Sequence, residues 1–408
     1  MEDSAVYLSD SQYEALKQFK KNVSDILTPG HSDITLNKWL RARNYNLKKA
    51  EALFRQIHDC REIYEFDTIT EWFKRSEATE KYEYSSFLGF AKDGSVVRYV
   101  HVGKGDHYGF IMSMTAYEIC KYCSYLIEWD RKEQKKHNQK TGLNVHDITY
   151  IFDMDNFSIQ QLAYKCVIEM GLDLIRVVQD HFPECWGNVF FINAPFYFDK
   201  AFNIFKPIMK LKLLQKIRVV SREHTATVLL KYIDEDVLPA FLGGKKCDSS
   251  GNPMCTEFLK FGGRIPEKYY LRNRPPLLST DPGVTAVWVA PRSVFNYSVV
   301  VREPRSKIRI EYRYENGSVD TKMLFRPFGQ NPDELDLPAA DEFLDEDDPK
   351  CNARFVSPAI RVQGHLTPVE EACIAPWPGI YIFQFNNSYS WFTSRRIIFR
   401  IKSIPLES

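Results

Sequence analysis

The spacing of apolar residues changes once along this chain, and that change limits the folds open to it. Up to about residue 245, short apolar runs alternate with segments whose apolar residues recur every three or four positions. These are the patterns of buried strands and amphipathic helices. Residues 307–314 instead alternate charged and apolar side chains, as in a half-buried antiparallel strand. We therefore predict a mixed α/β region followed by a β-sandwich.

The first region is predicted to begin with helices over residues 9–80. Ser32 or Asp33, and Asn46, have side chains that can accept hydrogen bonds from unpaired N–H groups at helix starts. A hairpin is predicted at residues 86–102, because Gly94 lies in a turn signal between two apolar runs. Further strands are predicted at residues 149–153, 188–194 and 217–221, and helices at residues 114–133, 162–181 and 224–232.

The second region is predicted to contain only strands, at residues 284–290, 293–301, 307–314, 354–363, 380–385 and 396–401. Residues 333–348 carry nine acidic side chains and no basic ones, which predicts a mobile, solvated loop because like charges repel. The predicted domains are residues 1–80 (helical), 81–245 (mixed sheet), 246–282 (linker) and 283–405 (sandwich).

The charge balance gives no support for a general affinity for nucleic acid. Lys and Arg total 54 against 53 Asp and Glu, so any attraction to a membrane surface must be local. The acidic N-terminus does not resemble a signal peptide, and no apolar run is long enough to cross a bilayer. Glu2 stands where N-myristoylation needs glycine. We expect a cytoplasmic protein whose membrane contact is peripheral and reversible.

The residues needed for catalysis or metal binding do not occur in a recognisable arrangement. No hydrolase, zinc-protease, P-loop or kinase motif is present. Cys120 and Cys123 form a CxxC inside a predicted helix, so free thiols in a reducing compartment are favoured over a metal or redox site. Asp153 and Asp155 end a strand, where turn and cap roles are favoured over a divalent-ion site. We expect no enzyme activity, cofactor or metal.

Residues 201–217, hereafter the gate segment, combine apolar and basic side chains on both sides of Pro207. Because proline has no backbone N–H, a helix must kink or restart there. A surface helix that buries one face accounts for this pattern. A movable cover over an apolar cavity, facing an anionic membrane, accounts for it too. The segment by itself leaves both interpretations open.

A series of motifs, in order, resembles CRAL-TRIO lipid-transfer proteins. The first is LRARNYNLKKA at residues 40–50, and others follow at residues 97–109, 150–153, 182–195, 205–207 and 238–244. Residues 248–270 and 378–391 resemble the linker and the C-terminal GOLD β-sandwich of the supernatant protein factor and tocopherol-associated proteins. The resemblance implies a helical N-terminal region, a CRAL-TRIO mixed sheet with a lipid pocket and gate helix, and a GOLD-type antiparallel sandwich.

The resemblance also assigns roles within the gate segment. The residues expected to form the lipid gate are Phe202, Phe205, Ile208, Met209 and Leu213. The basic residues expected to face the membrane are Lys206, Lys210 and Lys212. Of the headgroup-binding positions used by phosphatidylinositol-transfer members of the family, three are matched, by Arg43, Glu184 and Lys216.

Three other headgroup positions are not matched, because they hold Asn44, Cys185 and Leu213. Two positive charges and a hydroxyl are thereby lost, which weakens a phosphate site because charge-assisted hydrogen bonds are the strong ones. The expected ligand is one hydrophobic lipid, either a tocopherol, a squalene-like isoprenoid or a phospholipid, and the losses favour the less polar of these over an inositol phospholipid. The leading hypothesis is a lipid-binding and transfer protein. The alternative is a lipid-regulated adaptor that recruits protein partners through the GOLD domain.

Overall fold

A computed structural model describes residues 8–345, 351–357, 360–362 and 364–405. The α-helices in this part of the chain are α1 Asp10–Asn22, α2 Asp33–Ala42, α3 Leu47–Ile63, α4 Ile69–Trp72, α5 Glu77–Tyr82, α6 His107–Ser113, α7 Ala116–Thr141, α8 Lys165–His181, α9 Phe198–Phe205, α10 Leu211–Leu214 and α11 Thr225–Tyr232. The strands are β1 Ser85–Phe90, β2 Val96–Val100, β3 Ile148–Asp153, β4 Trp186–Ile192, β5 Ile217–Val219, β6 Thr285–Val289, β7 Val294–Val301, β8 Ser306–Tyr314, β9 Val319–Pro327, β10 Arg354–Phe355, β11 Arg361–Val362, β12 Val369–Ala375, β13 Gly379–Asn386 and β14 Arg395–Ile404.

The N-terminal helices begin where the sequence predicts caps. The side chain of Ser32 accepts a hydrogen bond from the backbone of Thr35, and that of Asn46 accepts one from Lys49. Each bond satisfies an N–H that has no partner within its own helix. Helices α1, α2 and α3 then bury their apolar faces against one another in a core that includes Phe19, Leu36, Leu40, Phe54 and Ile57.

The first sheet has five strands in the order β1-β2-β3-β4-β5. The hairpin β1–β2 is antiparallel, and the other neighbouring pairs are parallel. Tyr99, Ile151 and Phe190 point to one face, where they pack with α11 and the chain that follows it. Val96, Tyr150 and other side chains on the opposite face pack with residues of α7 and α8. That second face and its two helices frame the site described below.

The second region is a sandwich of two antiparallel sheets, and the mixed α/β-plus-sandwich fold class is confirmed. One sheet has the order β10-β9-β13-β7, with β11 also paired to β9, and the other the order β12-β8-β14-β6. On β8, Ile308, Ile310, Tyr312 and Tyr314 are buried while the charged residues between them face outward. This is the alternation predicted from the sequence.

Two details of the sandwich differ from the prediction. The single strand predicted at residues 354–363 is wrong for the described residues, because β10 and β11 are separate two-residue strands on β9; residues 358, 359 and 363 lie outside the described part. Strands β9 and β12 were not predicted. Charged residues interrupt the apolar ones in both strands, at Asp320, Lys322 and Arg326 in β9 and at Glu370 and Glu371 in β12, which hides the strand pattern.

The acidic loop is solvated, as predicted, but it is also anchored up to residue 345. The side chain of Asn296 donates to the carbonyls of Ala339 and Glu342, at 2.9 and 2.7 Å. Arg326 pairs with Asp336 at 3.0 Å, and Leu344 is buried against the sheet. The prediction took this stretch for a loop without contacts to the sandwich, and that is wrong up to residue 345, because neighbouring strands make polar and apolar contacts with it. Residues 346–348 lie outside the described part of the chain.

The sandwich packs directly on the first region. Lys121 of α7 forms a buried ion pair with Glu371 of β12. Arg354 pairs with Asp59 of α3 at 2.6 Å and lies over the ring of Trp377 at 4.9 Å. Buried side chains of α7, α8 and the two sheets of the sandwich form one continuous apolar core. The sandwich therefore supports the outer side of α7 and α8.

Candidate functional site

A cavity of about 410 Å³ lies between the first sheet and helices α6, α7, α8 and α9. Its walls are almost entirely apolar. The lining residues from the sheet include Val100, Tyr150, Phe152, Phe191 and Ile217, and those from α6, α7 and α8 include Phe110, Ile119, Leu126, Met170 and Leu174. Ligand pockets in proteins span roughly 300–1,000 Å³. This cavity has the size and the lining to hold a hydrophobic molecule.

The gate segment closes one side of the cavity, and it is broken where Pro207 predicts. Helix α9 ends at Phe205, one 3₁₀ turn contains the proline, and α10 begins only at Leu211. Gln179 of α8 contacts the segment at this break. The side-chain N–H of Gln179 donates to the carbonyl of Ile208 at 3.1 Å. Its side-chain oxygen accepts a hydrogen bond from the backbone N–H of Lys210 at 2.8 Å. The segment is thus held to α8 by polar contacts that replace its missing helical ones.

Three of the five predicted gate residues line the cavity: Phe202, Phe205 and Met209. The ring centroid of Phe202 lies 5.6 Å from that of Phe191 on β4. Ile208 is half-buried, Leu213 is buried, and neither is among the lining residues. Leu213 lies in α10, which starts after the break at the proline and therefore need not keep the helical phase of α9.

The prediction missed two residues of the gate segment that line the cavity. It also did not say which apolar residues of the segment face solvent. Ala201 and Ile217 also contact the cavity. Ile204 and Leu211 are exposed to solvent. The helical period of α9 was the signal available for Ala201, since it lies four residues before Phe205.

Basic and acidic side chains form a network beside the gate segment, which we call the ionic rim. Its members are Lys38, Arg41, Arg43, Asp147, Asp180, Glu184, Lys210, Lys212 and Lys216. Within the described part of the chain, six cationic groups here share three carboxylates, so the rim carries a surplus of three positive charges.

Each carboxylate of the ionic rim joins the gate segment to another element. Asp180 contacts Arg43 at 3.2 Å and Lys210 at 3.3 Å. Glu184 contacts Arg41 at 3.1 Å and Lys212 at 3.3 Å. The rim therefore gathers the three predicted headgroup residues, Arg43, Glu184 and Lys216, and all three have protein partners.

The third carboxylate, Asp147, contacts Lys38 at 2.6 Å and Lys216 at 3.7 Å, and Lys216 also donates to the carbonyl of Trp186 at 2.5 Å. Burial lowers the pKa of Lys210, because its ammonium group is partly withdrawn from water. Lys206, in contrast, is exposed. Of the lysines predicted to face a membrane, only this one extends from the gate segment without a rim contact in the described structure.

Arg98 and His107, which line the cavity, are paired inside the protein, whereas the buried indole N–H of Trp186, which also lines it, has no partner in the described structure. Arg98 forms a buried ion pair with Asp130 at 2.5 Å and donates to Ser85 at 3.0 Å. The Nε2 of His107 lies 3.1 Å from the carbonyl of Val102, and its Nδ1 lies 3.1 Å from the Tyr84 hydroxyl. Burial lowers the pKa of His107, so its ring is neutral near pH 7. Among the described residues that line the cavity, no charged group is left unpaired.

The residues considered for metal or redox chemistry are held in hydrogen bonds or buried inside the protein. Asp153 accepts hydrogen bonds from the Tyr99 hydroxyl at 2.7 Å and the Asn193 amide at 2.8 Å. Burial raises the pKa of the Cys123 thiol to about 12, which keeps it protonated and unreactive near pH 7. Among the described residues, no cluster of His, Cys, Asp and Glu has the arrangement of a metal site, and no helix is both long and apolar enough to cross a membrane.

Comparison with known proteins finds similarities to the region around the cavity. Residues 80–244 match the model of the CRAL/TRIO domain. Protein ctg-1 of Caenorhabditis elegans is 21% identical over 366 residues, covering 90% of each chain. Protein real-time of Aedes aegypti is 25% identical over 268 residues, which cover 64% of this chain but only 40% of that protein.

Among solved structures, the crystal structure of Sfh5 aligns with a TM-score of 0.49 and 15% identity, over 66% of this chain and 96% of that one. The stretch around the cavity is thus similar to the CRAL/TRIO domain. Proteins with this domain are generally lipid-binding transfer proteins rather than enzymes.

Proposed function

We propose that this protein carries one hydrophobic lipid in the cavity, shields it from water beneath the gate segment, and exchanges it at membranes. The observation that carries this proposal is the apolar cavity closed by Phe202, Phe205 and Met209 of a broken helix. The protein would work in the cytoplasm and touch membranes reversibly, with a lipid as its ligand.

The energetic reason for a shielded cavity is the cost of exposing a lipid to water. Each exposed methylene costs about 0.8 kcal/mol, so a lipid with some 20–30 such groups would pay about 15–25 kcal/mol to cross the aqueous phase. A carrier with apolar walls removes most of that barrier. It must open at the bilayer and close in water, which is the role we assign to the gate segment.

The ligand we propose is an apolar isoprenoid, such as a tocopherol or a squalene-like molecule, in preference to phosphatidylinositol or another phospholipid. Arg43 and Glu184 already have protein partners at 3.2 and 3.1 Å. A phosphate group would have to displace the carboxylate from Arg43. Inside the cavity, Arg98 is neutralised by Asp130. These pairings favour a ligand with few polar groups.

The ionic rim suggests how a membrane opens the gate. In water, Lys210, Lys212 and Lys216 pair with carboxylates outside the gate segment. At an anionic bilayer, lipid phosphates compete for the same lysines, and each lysine gains about 1 kcal/mol near such a surface. The loss of the rim contacts frees the gate segment, while its apolar side chains enter the interface.

Replacing Phe205 and Met209 with Asp tests the proposal, because charged groups would then face the cavity. We expect both the rate of isoprenoid transfer between vesicles and the retention of bound lipid to fall. Asn203→Asp is the matched control, since Asn203 lies on the same helix but is exposed and already polar. If the double variant transfers lipid as fast as the wild type, the gate assignment is wrong.

A second candidate function is a lipid-regulated adaptor that recruits partners through the C-terminal sandwich, for which we propose a GOLD-type domain. The observation in its favour is that Lys121 ties the sandwich to α7, while Ile119 of the same helix lines the cavity. Transfer kinetics separate the two functions. An adaptor would bind its lipid without moving it between vesicles.

A further inference from the structure

We propose that one end of the sandwich is a second membrane contact, separate from the gate segment and suited to an anionic lipid surface. This surface, which we call the aromatic tip, consists of Trp288, Arg292, Trp391 and Phe392. Phe392 is 94% exposed, Trp391 68% and Trp288 65%. Large aromatic side chains this exposed on neighbouring elements mark an interaction site rather than ordinary surface.

The loop that carries the aromatic tip is built to hold these side chains outward. Its base is Asn387, which is fully buried and donates through its amide to the carbonyls of Val289, Ala290 and Thr393, at 3.2, 3.0 and 2.9 Å. The backbone N–H of Ser390 donates to the carbonyl of Asn387 at 3.1 Å. The loop is therefore ordered before any partner binds, so little conformational entropy is lost on binding.

Arg292 joins the two halves of the aromatic tip. Its guanidinium donates to the carbonyl of Ser388 at 2.8 Å and lies 4.5 Å from the ring centroid of Trp391. A cation over an indole face is a favourable pairing. The result is a positive charge fixed beside the exposed ring of Trp391.

The charge of the aromatic tip indicates the kind of surface that it binds. The tip segments, residues 285–296 and 386–396, contain Arg292, Arg395 and Arg396 and no acidic residue. The neighbouring acid, Glu315, is paired with Arg396 through both of its oxygens at 3.1 Å. Trp and Arg are the side chains that anchor proteins at the headgroup level of a bilayer, and each Arg near an anionic surface adds attraction. Anionic lipid therefore matches both the apolar and the charged parts of the tip.

The aromatic tip is also connected to the cavity end of the molecule. Asn316, in the loop beside it, donates to the carbonyl of Ser394 at 3.1 Å. The strand that follows this loop pairs with β11, and β11 packs against α8. The residues just before α8 include Phe157 and Leu162, which line the cavity. A bilayer held by the tip would thus engage a unit that is continuous with the lipid site.

The test uses the full chain and vesicles of phosphatidylcholine with or without phosphatidylserine. Trp391→Ser combined with Phe392→Ser should lower partitioning onto the phosphatidylserine vesicles by about tenfold, because two exposed rings no longer enter the interface. Phe343→Ser is the matched control: Phe343 is 55% exposed on the same sandwich, but it lies in the acidic loop. This control should bind as the wild type does.

A second measurement reads the tip directly without disturbing it. The difference in fluorescence between the wild type and Trp391→Phe reports Trp391 alone, and its emission should shift to the blue when phosphatidylserine vesicles are added. Neither measurement involves transfer, so both distinguish a failed tip from a failed gate. The proposal is overturned if the double variant partitions like the wild type, or if Trp391 emission is the same with and without vesicles. Loss of a protein partner in the double variant, with vesicle binding intact, would also overturn it.

Discussion

Gly171 offers a direct way to change how firmly the gate segment closes. It lies on α8 and lines the cavity, facing Phe205 of α9. A Cβ at this position would lie 2.8 Å from Cε1 of the Phe205 ring. Carbon atoms in contact prefer about 3.5–4.0 Å, so in Gly171→Ala the ring must retreat by about 1 Å. The substitution therefore loosens the gate without adding any polar group.

Two opposing free energies decide the outcome of Gly171→Ala. Alanine stabilises the interior of a helix by about 1 kcal/mol relative to glycine. Overpacking the Phe205 contact costs about 1 kcal/mol or more. We expect the free energy of unfolding to change little, while the open state of the gate becomes about fivefold more populated.

The assay is the release of a bound fluorescent isoprenoid to acceptor vesicles, measured beside urea unfolding of the same samples. Release from Gly171→Ala should be several times faster than from the wild type. Adding Phe205→Leu, which gives the new methyl room, should recover part of the difference, as a double-mutant cycle requires for residues in contact. Wild-type release together with a full gain in stability would refute the contact as a determinant of closure.

Three further predictions concern charged groups. Burial, with Arg61 nearby, lowers the pKa of His181 from 6.5 to about 4. The stability that the neutral ring contributes is complete above pH 6.5 and is lost as the pH falls, so the free energy of unfolding in urea should be about 2 kcal/mol lower at pH 5 than at pH 7. The His181→Gln variant should largely remove this difference. Lys121→Met should cost about 3–5 kcal/mol by stranding Glu371, and adding Glu371→Leu should restore most of that loss in thermal unfolding. Asp180→Asn should strengthen binding to phosphatidylserine vesicles by about fivefold at low salt and leave binding to phosphatidylcholine vesicles unchanged.

The sequence predicts the elements around the cavity well because their apolar periods are strong. The strands and helices at residues 148–232 follow from short apolar runs and helical spacing, and the break in the gate segment follows from Pro207. Strand β12 was missed because two glutamates interrupt it. Only the fold reveals that one of them, Glu371, is buried against Lys121.

In the gate segment and the ionic rim, too, some features could be predicted from the sequence and others could not. Phe202 and Phe205 share the helical phase of α9, so their cavity-facing positions could be predicted. Leu213 could not, because the chain restarts after the proline with a new phase. The partners of the gate lysines were also beyond reach, since Asp147 and Asp180 lie about 30 residues or more away in sequence. Their contacts depend on how α8 and β3 are placed.

The central claim, that the cavity holds one hydrophobic lipid, is tested most directly by native mass spectrometry of the protein purified from its own cells. Leu174→Trp should fill part of the cavity, because Leu174 lines it. The account predicts that the wild type carries a single lipid, identified after extraction as an apolar isoprenoid, and that the folded Leu174→Trp variant carries much less. A wild-type protein free of lipid, or a variant that retains the same amount, would contradict it.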